Sequence, residues 1–221
     1  LKTIDIKDIS SLPGIRLNDK DRFRFRCHEM LVCFNRCCRN LNLFLYPYDV
    51  LRLKKCLSMS SEEFLENHTD IVLRKDQFFP EVLLRMADNS EKTCPFLADA
   101  GCSVYPDRPD TCRSFPIENG LLYEKNQAKI LHFFRPPEFC LGQHEDTEWT
   151  PEEYAADQHA ERHHQMTALW AEIRALFQRD PYNGAGPDCP KGKMAFMAAY
   201  NIDRFREFVF ESSFLKRYKI R

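Results

Sequence analysis

Ten cysteines in a chain of 221 residues limit what this protein can be more than any other feature of its sequence. Eight of them are grouped into two dense blocks and one trailing position: Cys27, Cys33, Cys37 and Cys38, then Cys94, Cys102 and Cys112, then Cys140. Thiolates a few residues apart can converge on one soft metal ion, or on an iron–sulfur cluster, without backbone strain. The grouping therefore predicts that these eight thiols are metal ligands.

Disulfides and redox-active thiols are the two alternatives to metal binding. Ten is an even number, and a secreted chain can pair its cysteines. However, 43% of the residues are hydrophobic and 18 are phenylalanines, so the chain can form a core without covalent cross-links. We therefore favour metal binding, and we expect a cytoplasmic protein, because thiols stay reduced in that compartment.

The adjacent pair Cys37 and Cys38 bears on how many metal centres there are. Neighbouring side chains point in different directions on an extended backbone, so we expect these two thiols to serve two centres, or only one of them to bind. Eight thiols can supply two four-ligand sites, although the sequence does not show how they are divided.

Zinc and iron–sulfur clusters share tetrahedral thiolate coordination, so spacing does not separate them. Our main hypothesis is at least one [4Fe–4S] cluster that serves electron transfer or a protein-modifying reaction. The alternative is a non-catalytic zinc module with four thiolates per ion, which would act by binding a protein partner.

Two arginines of the second block, Arg108 and Arg113, are candidate cofactor-binding residues. A centre ligated only by thiolates carries net negative charge, and a guanidinium a few residues from a ligand can offset that charge. Binding of a substrate carboxylate is the alternative role for these arginines.

The remaining cysteines and a group of histidines have simpler interpretations. Cys56 lies on an apolar helical pattern, which predicts a buried, inert thiol, whereas Cys189 lies in a Pro/Gly-rich loop and is expected to be exposed. His159 and His163 are spaced i, i+4 with His164 beside them, a spacing that can bind a metal. Because the surrounding residues are polar, we interpret this stretch as a solvated helix face.

Composition excludes several other classes of protein. With 33 acidic and 32 basic residues the net charge is −1, which gives no general attraction to nucleic acid or to an anionic membrane. Glycine occurs only seven times, and neither Gly-rich nucleotide-binding motif is present. No apolar run approaches the roughly 20 residues that span a membrane. We therefore expect the partner or substrate to be a protein.

Local patterns predict both strands and helices. Alternation over Arg22–Cys27 predicts a strand that turns Phe23, Phe25 and Cys27 inward. Further strands are predicted at Ile71–Lys75 and Val82–Met86, and a hairpin at Leu121–Tyr123 and Lys129–Arg135. Helices are predicted at Tyr48–Leu57, after the capping box Ser60–Glu63, from Thr150 to about Gln178, at Lys193–Tyr200 and at Asp203–Glu211.

These elements predict an α+β protein: a small, irregular cysteine-cluster metal-binding domain with short strands, plus a helical C-terminal part. We divide the sequence into a lead-in at residues 1–20, the cysteine-cluster domain at 21–145, and a helical extension at 146–221 that packs on it. Residues 136–157 contain seven acidic side chains and no Lys or Arg, which is typical of a solvated acidic loop.

The ordered motifs resemble the YkgJ-type cysteine-cluster family, whose members are described as zinc- or iron-chelating and are distantly similar to flagellin lysine methylases. The matching positions are the first block, Cys94-Pro95-Phe96-Leu97, Cys102, Tyr105, Arg108-Pro109, Cys112-Arg113, Phe115-Pro116 and Cys140-Leu141-Gly142. The resemblance covers about residues 21–142 and implies zinc or iron binding. The first block departs from the family pattern, because its spacing is wider and Arg36 stands where a glycine is usual.

Overall fold

A computed structural model describes residues 2–3, 12–75, 77–124 and 127–217. The chain divides into two compact units, each built from two segments: Leu1–Leu41 with Met86–Glu172, and Asn42–Arg85 with Ile173–Arg221. Short strands and helices occur together, so the predicted α+β class is confirmed. The division of the sequence at residues 20 and 145 stays a prediction.

The secondary structure consists of short elements. The strands are β1 (Lys2–Thr3), β2 (Ile15–Leu17), β3 (Phe23–Arg24), β4 (Phe44–Leu45), β5 (Thr69–Val72), β6 (Glu81–Leu84), β7 (Leu97–Ala98), β8 (Gly101–Cys102), β9 (Ile117–Glu124), β10 (Gln127–Phe134) and β11 (Glu148–Trp149). The helices are α1 (Pro47–Cys56), α2 (Ser61–His68), α3 (Asp110–Ser114), α4 (Pro151–Asp157), α5 (Glu161–Ala175), α6 (Pro190–Tyr200), α7 (Ile202–Glu211) and α8 (Phe214–Arg217). No helix in the described part of the chain is long and apolar enough to cross a membrane.

A four-stranded sheet in the order β1-β9-β10-β2 lies in the first unit. Strands β9 and β10 form the predicted hairpin, with Ile117 opposite Phe134 and Leu121 opposite Ile130. Leu121 and Leu131 are buried on it. Residues 125–126 of the predicted turn lie outside the described residues.

The strand predicted at Arg22–Cys27 is confirmed only in part. β3 contains two residues and pairs with β11, and Phe23 and Phe25 are both buried. Cys27, in contrast, is exposed, so the prediction that the strand turns it inward is wrong. The backbone leaves the strand pattern after Phe25, because Arg26 N–H donates to the carbonyl of Gly142 instead.

An aromatic core forms where these strands meet α4. Tyr154 makes edge-on contacts with Phe23 and Phe25, with ring centroids 5.5 and 5.9 Å apart. Its hydroxyl donates to the carbonyl of Phe115, and Trp149 Nε1 donates to the carbonyl of Phe25. The Tyr154 hydroxyl and the Trp149 N–H thus both have hydrogen-bond acceptors, so the aromatic rings pack together without leaving these polar groups unpaired.

The acidic stretch 136–157 is more structured than a solvated loop. It contains β11 and the whole of α4, and arginines of the β3 segment pair with its carboxylates. Arg24 contacts Glu148 at 3.2 Å, and Arg22 contacts Glu153 at 3.6 Å. Such exposed pairs stabilise a fold only weakly, because water screens the two charges.

The single long helix predicted from Thr150 to Gln178 is wrong, because the chain forms two helices, α4 and α5. The predicted start is correct, since Thr150 and Glu153 form a capping box. The interruption lies at residues 158–160, where His159 adopts a positive φ of 52°. At this turn the carbonyl of Gln158 leaves the regular pattern of helical hydrogen bonds and accepts a hydrogen bond from the Arg113 guanidinium.

The second unit contains the sheet β4-β6-β5 and the helices α1, α2, α6 and α7. The predicted pair of strands is confirmed as β5 and β6, which run antiparallel. The capping box of α2 and the helices α1, α6 and α7 are confirmed as well. Leu53, Phe64 and Val82 are fully buried in this unit, and Tyr200 hydroxyl donates to the carbonyl of Leu45.

Asp203 joins α7 to α1 and α2 within the second unit. Its carboxylate accepts hydrogen bonds from Lys54 Nζ at 2.7 Å and from Ser61 N and Oγ at 2.7 and 2.9 Å. Burial alone would raise the pKa of Asp203, but these hydrogen bonds outweigh burial and hold the pKa below its ordinary value. The ionised carboxylate therefore stabilises this unit.

We predict that Asp203→Asn lowers the free energy of unfolding by about 1.5–3 kcal/mol at pH 7, the usual size of a hydrogen bond to a charged group. The pKa of Asp203 is lowered in the folded protein, so the stabilisation is present above the ordinary aspartate pKa and is lost as the pH falls through the lowered one. Chemical denaturation at pH 7 and pH 3 measures both effects. Glu207→Gln on the exposed side of α7 is the control, and equal stability of Asp203→Asn and wild type at pH 7 would contradict the assignment.

Candidate metal centre

Three segments of the first unit carry the eight clustered cysteines. The segment 27–38 ends in a 3-10 turn at Arg36–Cys38, the segment 94–112 contains the β7–β8 hairpin and α3, and Cys140 immediately precedes a 3-10 turn at Leu141–His144. Backbone contacts connect the segments: Cys94 N–H donates to the carbonyl of Cys38 at 2.8 Å, and Leu141 N–H donates to Cys33 Sγ at 3.2 Å.

The fold brings the eight thiols into one interacting group. Electrostatic interactions through space act between Cys27 and Cys140, Cys33 and Cys38; between Cys37 and Cys38, Cys27 and Cys112; between Cys94 and Cys38 and Cys102; and between Cys140 and Cys33. All ten cysteines of the chain are thiols, with none joined in a disulfide. The contacts link every cysteine that the sequence predicts as a ligand, whereas their role as ligands stays a prediction.

Cys37 and Cys38 lie closer together than an extended backbone would allow. Their Sγ atoms are 4.0 Å apart, because the backbone turns at Asn35, with a φ of 63°, into the 3-10 turn that carries both residues. Two ligands of one tetrahedral ion, each about 2.3 Å from it, are about 3.8 Å apart. The assumption that adjacent thiols diverge is therefore wrong for this pair.

One thiol of this pair ionises more readily than an ordinary cysteine. A hydrogen bond from Cys37, together with the charge of Arg39, lowers the pKa of Cys38 to about 7 against the opposing effect of burial. The same hydrogen bond, burial and the neighbouring thiols raise the pKa of Cys37 well above its ordinary value. The two thiols titrate as a pair, and the first proton leaves the pair near pH 7.

Two of the other thiols, Cys27 and Cys94, are harder to ionise than an ordinary cysteine. Cys27 is exposed as a residue, yet partial burial of its thiol, followed by the neighbours Cys140, Cys33 and Cys38, raises its pKa to about 11. Burial also raises the pKa of Cys94 to about 11, although the backbone N–H of Phe96 opposes the shift. Each additional thiolate repels those already present, and a soft cation bound among them would reverse that penalty.

The donor set fits a thiolate-bound metal in its chemistry. Within the described ranges no three His, Cys, Asp or Glu side chains surround a single point closely enough to hold an ion. The sulfur atoms would therefore have to move together by side-chain rotation on binding. Reduced thiols from three connected segments provide the soft donors that zinc and iron–sulfur centres take.

Arg108 and Arg113 are buried, and their guanidinium groups bind protein oxygens. Arg108 donates to the carbonyl of Tyr105 and to Gln158 Oε1, both at 2.7 Å, and lies over the Tyr105 ring. Arg113 donates to the carbonyls of Arg108, Pro106 and Gln158. These contacts clamp the loop between Cys102 and Cys112, and a role toward a cofactor stays a prediction.

Arg36 occupies the position where the family pattern has glycine. Its guanidinium lies over the ring of Phe139, 4.9 Å from the centroid, in the range of a cation–π interaction. Phe139 precedes Cys140, so this contact brings the first block toward the trailing cysteine. The substitution of the usual glycine thus supplies a contact between two ligand segments.

Several other sequence-based expectations change. Cys56 is exposed at the end of α1, so the prediction of a buried thiol is wrong. Cys189 is partly buried and caps α6, with its Sγ accepting from Gly192 N at 3.4 Å. His28, which lies within the first block, was not among the predicted site residues. Its Nε2 atom lies 3.3 Å from Glu145 Oε2. Its place between Cys27 and Cys33 was the available signal.

The histidines of α5 do not lie on a solvated face. His163 is buried, and His164 Nε2 contacts Ser114 Oγ at 2.9 Å. Burial and the nearby His163 lower the pKa of His164, against the opposing effect of Asp110. The interpretation as a solvated surface is therefore wrong for His163 and His164, whereas His159, in the break before α5, is exposed.

The sequence profile described as “CxxCxxCC: Putative zinc- or iron-chelating domain” matches residues 26–153, more than half of the chain. The protein belongs to the CxxCxxCC family. The resemblance recognised from the cysteine motifs is thereby confirmed, and the family supports binding of zinc or iron by the cysteine cluster. No curated protein and no solved structure is significantly similar to the chain.

The pKa differences in this CxxCxxCC protein predict an order of thiol reactivity. Iodoacetamide reacts with thiolates, so in reduced, metal-free protein at pH 7 it should modify the Cys37–Cys38 peptide before Cys27 or Cys94. Mass spectrometry of peptides after short reaction times measures the order. Cys27 is the exposed thiol of the group, so modification of Cys27 first would show that exposure outweighs the pKa order.

Proposed function

We propose that this CxxCxxCC-family protein binds at least one [4Fe–4S] cluster through its clustered thiolates. The residues that would hold it are drawn from Cys27, Cys33, Cys37, Cys38, Cys94, Cys102, Cys112 and Cys140. The observation that carries the proposal is that all eight thiols form one interacting group. Four thiolates ligate such a cluster, so the group is large enough for one cluster and for a second centre.

Nearby protein groups would tune the centre. Leu141 N–H donates to Cys33 Sγ at 3.2 Å, and the charge of Arg39 favours the thiolate form of Cys38. Hydrogen bonds to the sulfur ligands and local charge are among the factors that set the potential of iron–sulfur clusters. When bound, the cluster would supply electron transfer or the chemistry for modifying a protein.

Zinc is the second candidate because one distance favours it. The 4.0 Å between Cys37 Sγ and Cys38 Sγ is close to the separation of two thiolates on one tetrahedral ion. In a [4Fe–4S] cluster each thiolate binds its own iron, which places the ligands farther apart. In the zinc alternative the protein is a non-catalytic module that binds a protein partner.

The location and the partner follow from the same chemistry. Thiols must be reduced to bind metal, which favours the cytoplasm. The net charge of −1 supplies no general attraction to nucleic acid, so we propose a protein as the partner or substrate.

Anaerobic purification, followed by an absorption spectrum and assays of iron, zinc and acid-labile sulfide on one sample, tests the proposal. We expect a brown protein with matching iron and sulfide. A colourless protein with stoichiometric zinc would overturn the iron–sulfur proposal in favour of the zinc module. Neither metal, with thiols oxidised in pairs, would overturn both.

Cys37→Ala and Cys112→Ala each remove a proposed metal ligand. Loss of a group that only supports a ligand typically lowers metal affinity about 10–100-fold, so we predict a larger loss of affinity in both variants. Because bound metal stabilises the folded state, the melting temperature should fall in the metal-loaded proteins and change little in the metal-free ones. Cys56→Ala is the control, since Cys56 lies in the other unit. Unchanged metal content in both cluster variants would contradict the assignment.

A further inference from the structure

Cys112 lies on the short helix α3 together with two polar residues that face away from it. Side chains four residues apart lie on the same face of a helix, and a residue midway between them lies near the opposite face. Asp110 and Ser114 therefore share one face of α3, and Cys112 lies on the other. A helix of five residues is too short to be stable alone, so its orientation depends on tertiary contacts.

The polar face of α3 binds helix α5. Thr167 Oγ1 donates to Asp110 Oδ2 at 2.8 Å, and His164 Nε2 lies 2.9 Å from Ser114 Oγ and 3.4 Å from Asp110 Oδ1. Asp110 is 4% exposed and Thr167 is 2% exposed. A buried polar group that loses its hydrogen-bond partner is destabilising, so these contacts specify one rotation of α3 about its axis.

The β9–β10 hairpin extends the same network. Asn119 Nδ2 lies 3.1 Å from His164 Nε2 and 3.3 Å from Ser114 Oγ, and Asn119 Oδ1 lies 2.7 Å from His132 Nδ1. His164 is thus held from α3 and from the hairpin at once. Its imidazole connects the short helix to two longer elements of the same unit.

From this network we infer that His164 and Thr167 are positioning residues of the metal centre, which act by holding α3 so that Cys112 faces the thiol group. The inference rests on the proposed metal-binding function and goes beyond it. Both residues lie past the region 26–153 that matches the family profile. The residues that support metal binding accordingly extend to α5, for which the sequence predicted only a solvated helix face.

The test measures Zn²⁺ affinity of the full-length chain by competition with a chromophoric chelator. Zn²⁺ is the probe because a thiolate site built for iron–sulfur chemistry also binds it. We expect Thr167→Val, which removes only the hydroxyl, and His164→Leu to weaken Zn²⁺ binding by about 10–100-fold. Thr167→Ser and His164→Gln, which keep a hydrogen-bonding group, should restore most of the affinity. Gln165→Ala, on the exposed side of α5, is the control.

A double-mutant cycle with Cys112→Ser separates positioning from general stability. If Thr167 acts through Cys112, Thr167→Val lowers Zn²⁺ affinity in the wild-type background and has no further effect in Cys112→Ser. Its effect on the melting temperature of the metal-free protein should be equal in both backgrounds. An equal loss of Zn²⁺ affinity in both backgrounds would overturn the inference, and so would wild-type affinity in Thr167→Val.

The two proposals fail in different ways. A wild-type protein that neither binds Zn²⁺ nor contains iron would overturn the metal-binding function, and the positioning role with it. A wild-type protein that binds metal while the Thr167 and His164 variants match it would leave the metal-binding function intact and overturn only the positioning role.

Discussion

Burial of closely grouped thiols is the constraint on which the cysteine-bearing unit depends. Burial, and after it the neighbouring sulfurs, raises the pKa of Cys27 and Cys94 to about 11, which favours the protonated form of both thiols. A bound soft cation favours the thiolate form of each of its ligands at once. Binding of a metal by these thiols would therefore release protons, and the Cys37–Cys38 pair, in which the pKa of Cys38 is lowered to about 7, would ionise more readily than Cys27 or Cys94.

Other residues of the first unit hold the backbone next to the cysteines in place. The guanidinium groups of Arg108 and Arg113 donate hydrogen bonds to backbone carbonyls of the loop that leads to Cys112, and to Gln158. The interruption between α4 and α5 leaves the Gln158 carbonyl available to accept a hydrogen bond from Arg113. This hydrogen bond holds the loop between Cys102 and Cys112 against the break. Buried charge is tolerated here because the guanidinium donors have protein acceptors.

Local patterns in the sequence predicted the features that local interactions determine. The capping boxes at Ser60 and Thr150 and the β9–β10 hairpin are set within a few residues, and the structure confirms them. The helix break at His159 and the exposure of Cys27 were not predictable in this way. They depend on partners such as Arg113 and Gly142, which are 46 and 115 residues away in the sequence.

The candidate site shows the same limit. The cysteine motifs identified the thiols and the family, because spacing and residue type are visible in the sequence. The contribution of His164 was hidden, because helical spacing on α5 does not reveal that Asp110 and Ser114 face it from 50 or more residues earlier. A polar helix face with a distant polar partner looks the same, in sequence, as a solvated one.

Contacts between segments also account for the unusual spacing of the first cysteine block. Cys94 N–H binds the carbonyl of Cys38, Leu141 N–H binds Cys33 Sγ, and Arg36 packs on Phe139. These contacts join the three cysteine-bearing segments directly to one another. Where tertiary contacts place the thiols, the number of residues between them along the chain matters less. The wider spacing between Cys27 and Cys33, and the arginine in place of glycine, are for that reason compatible with a common centre.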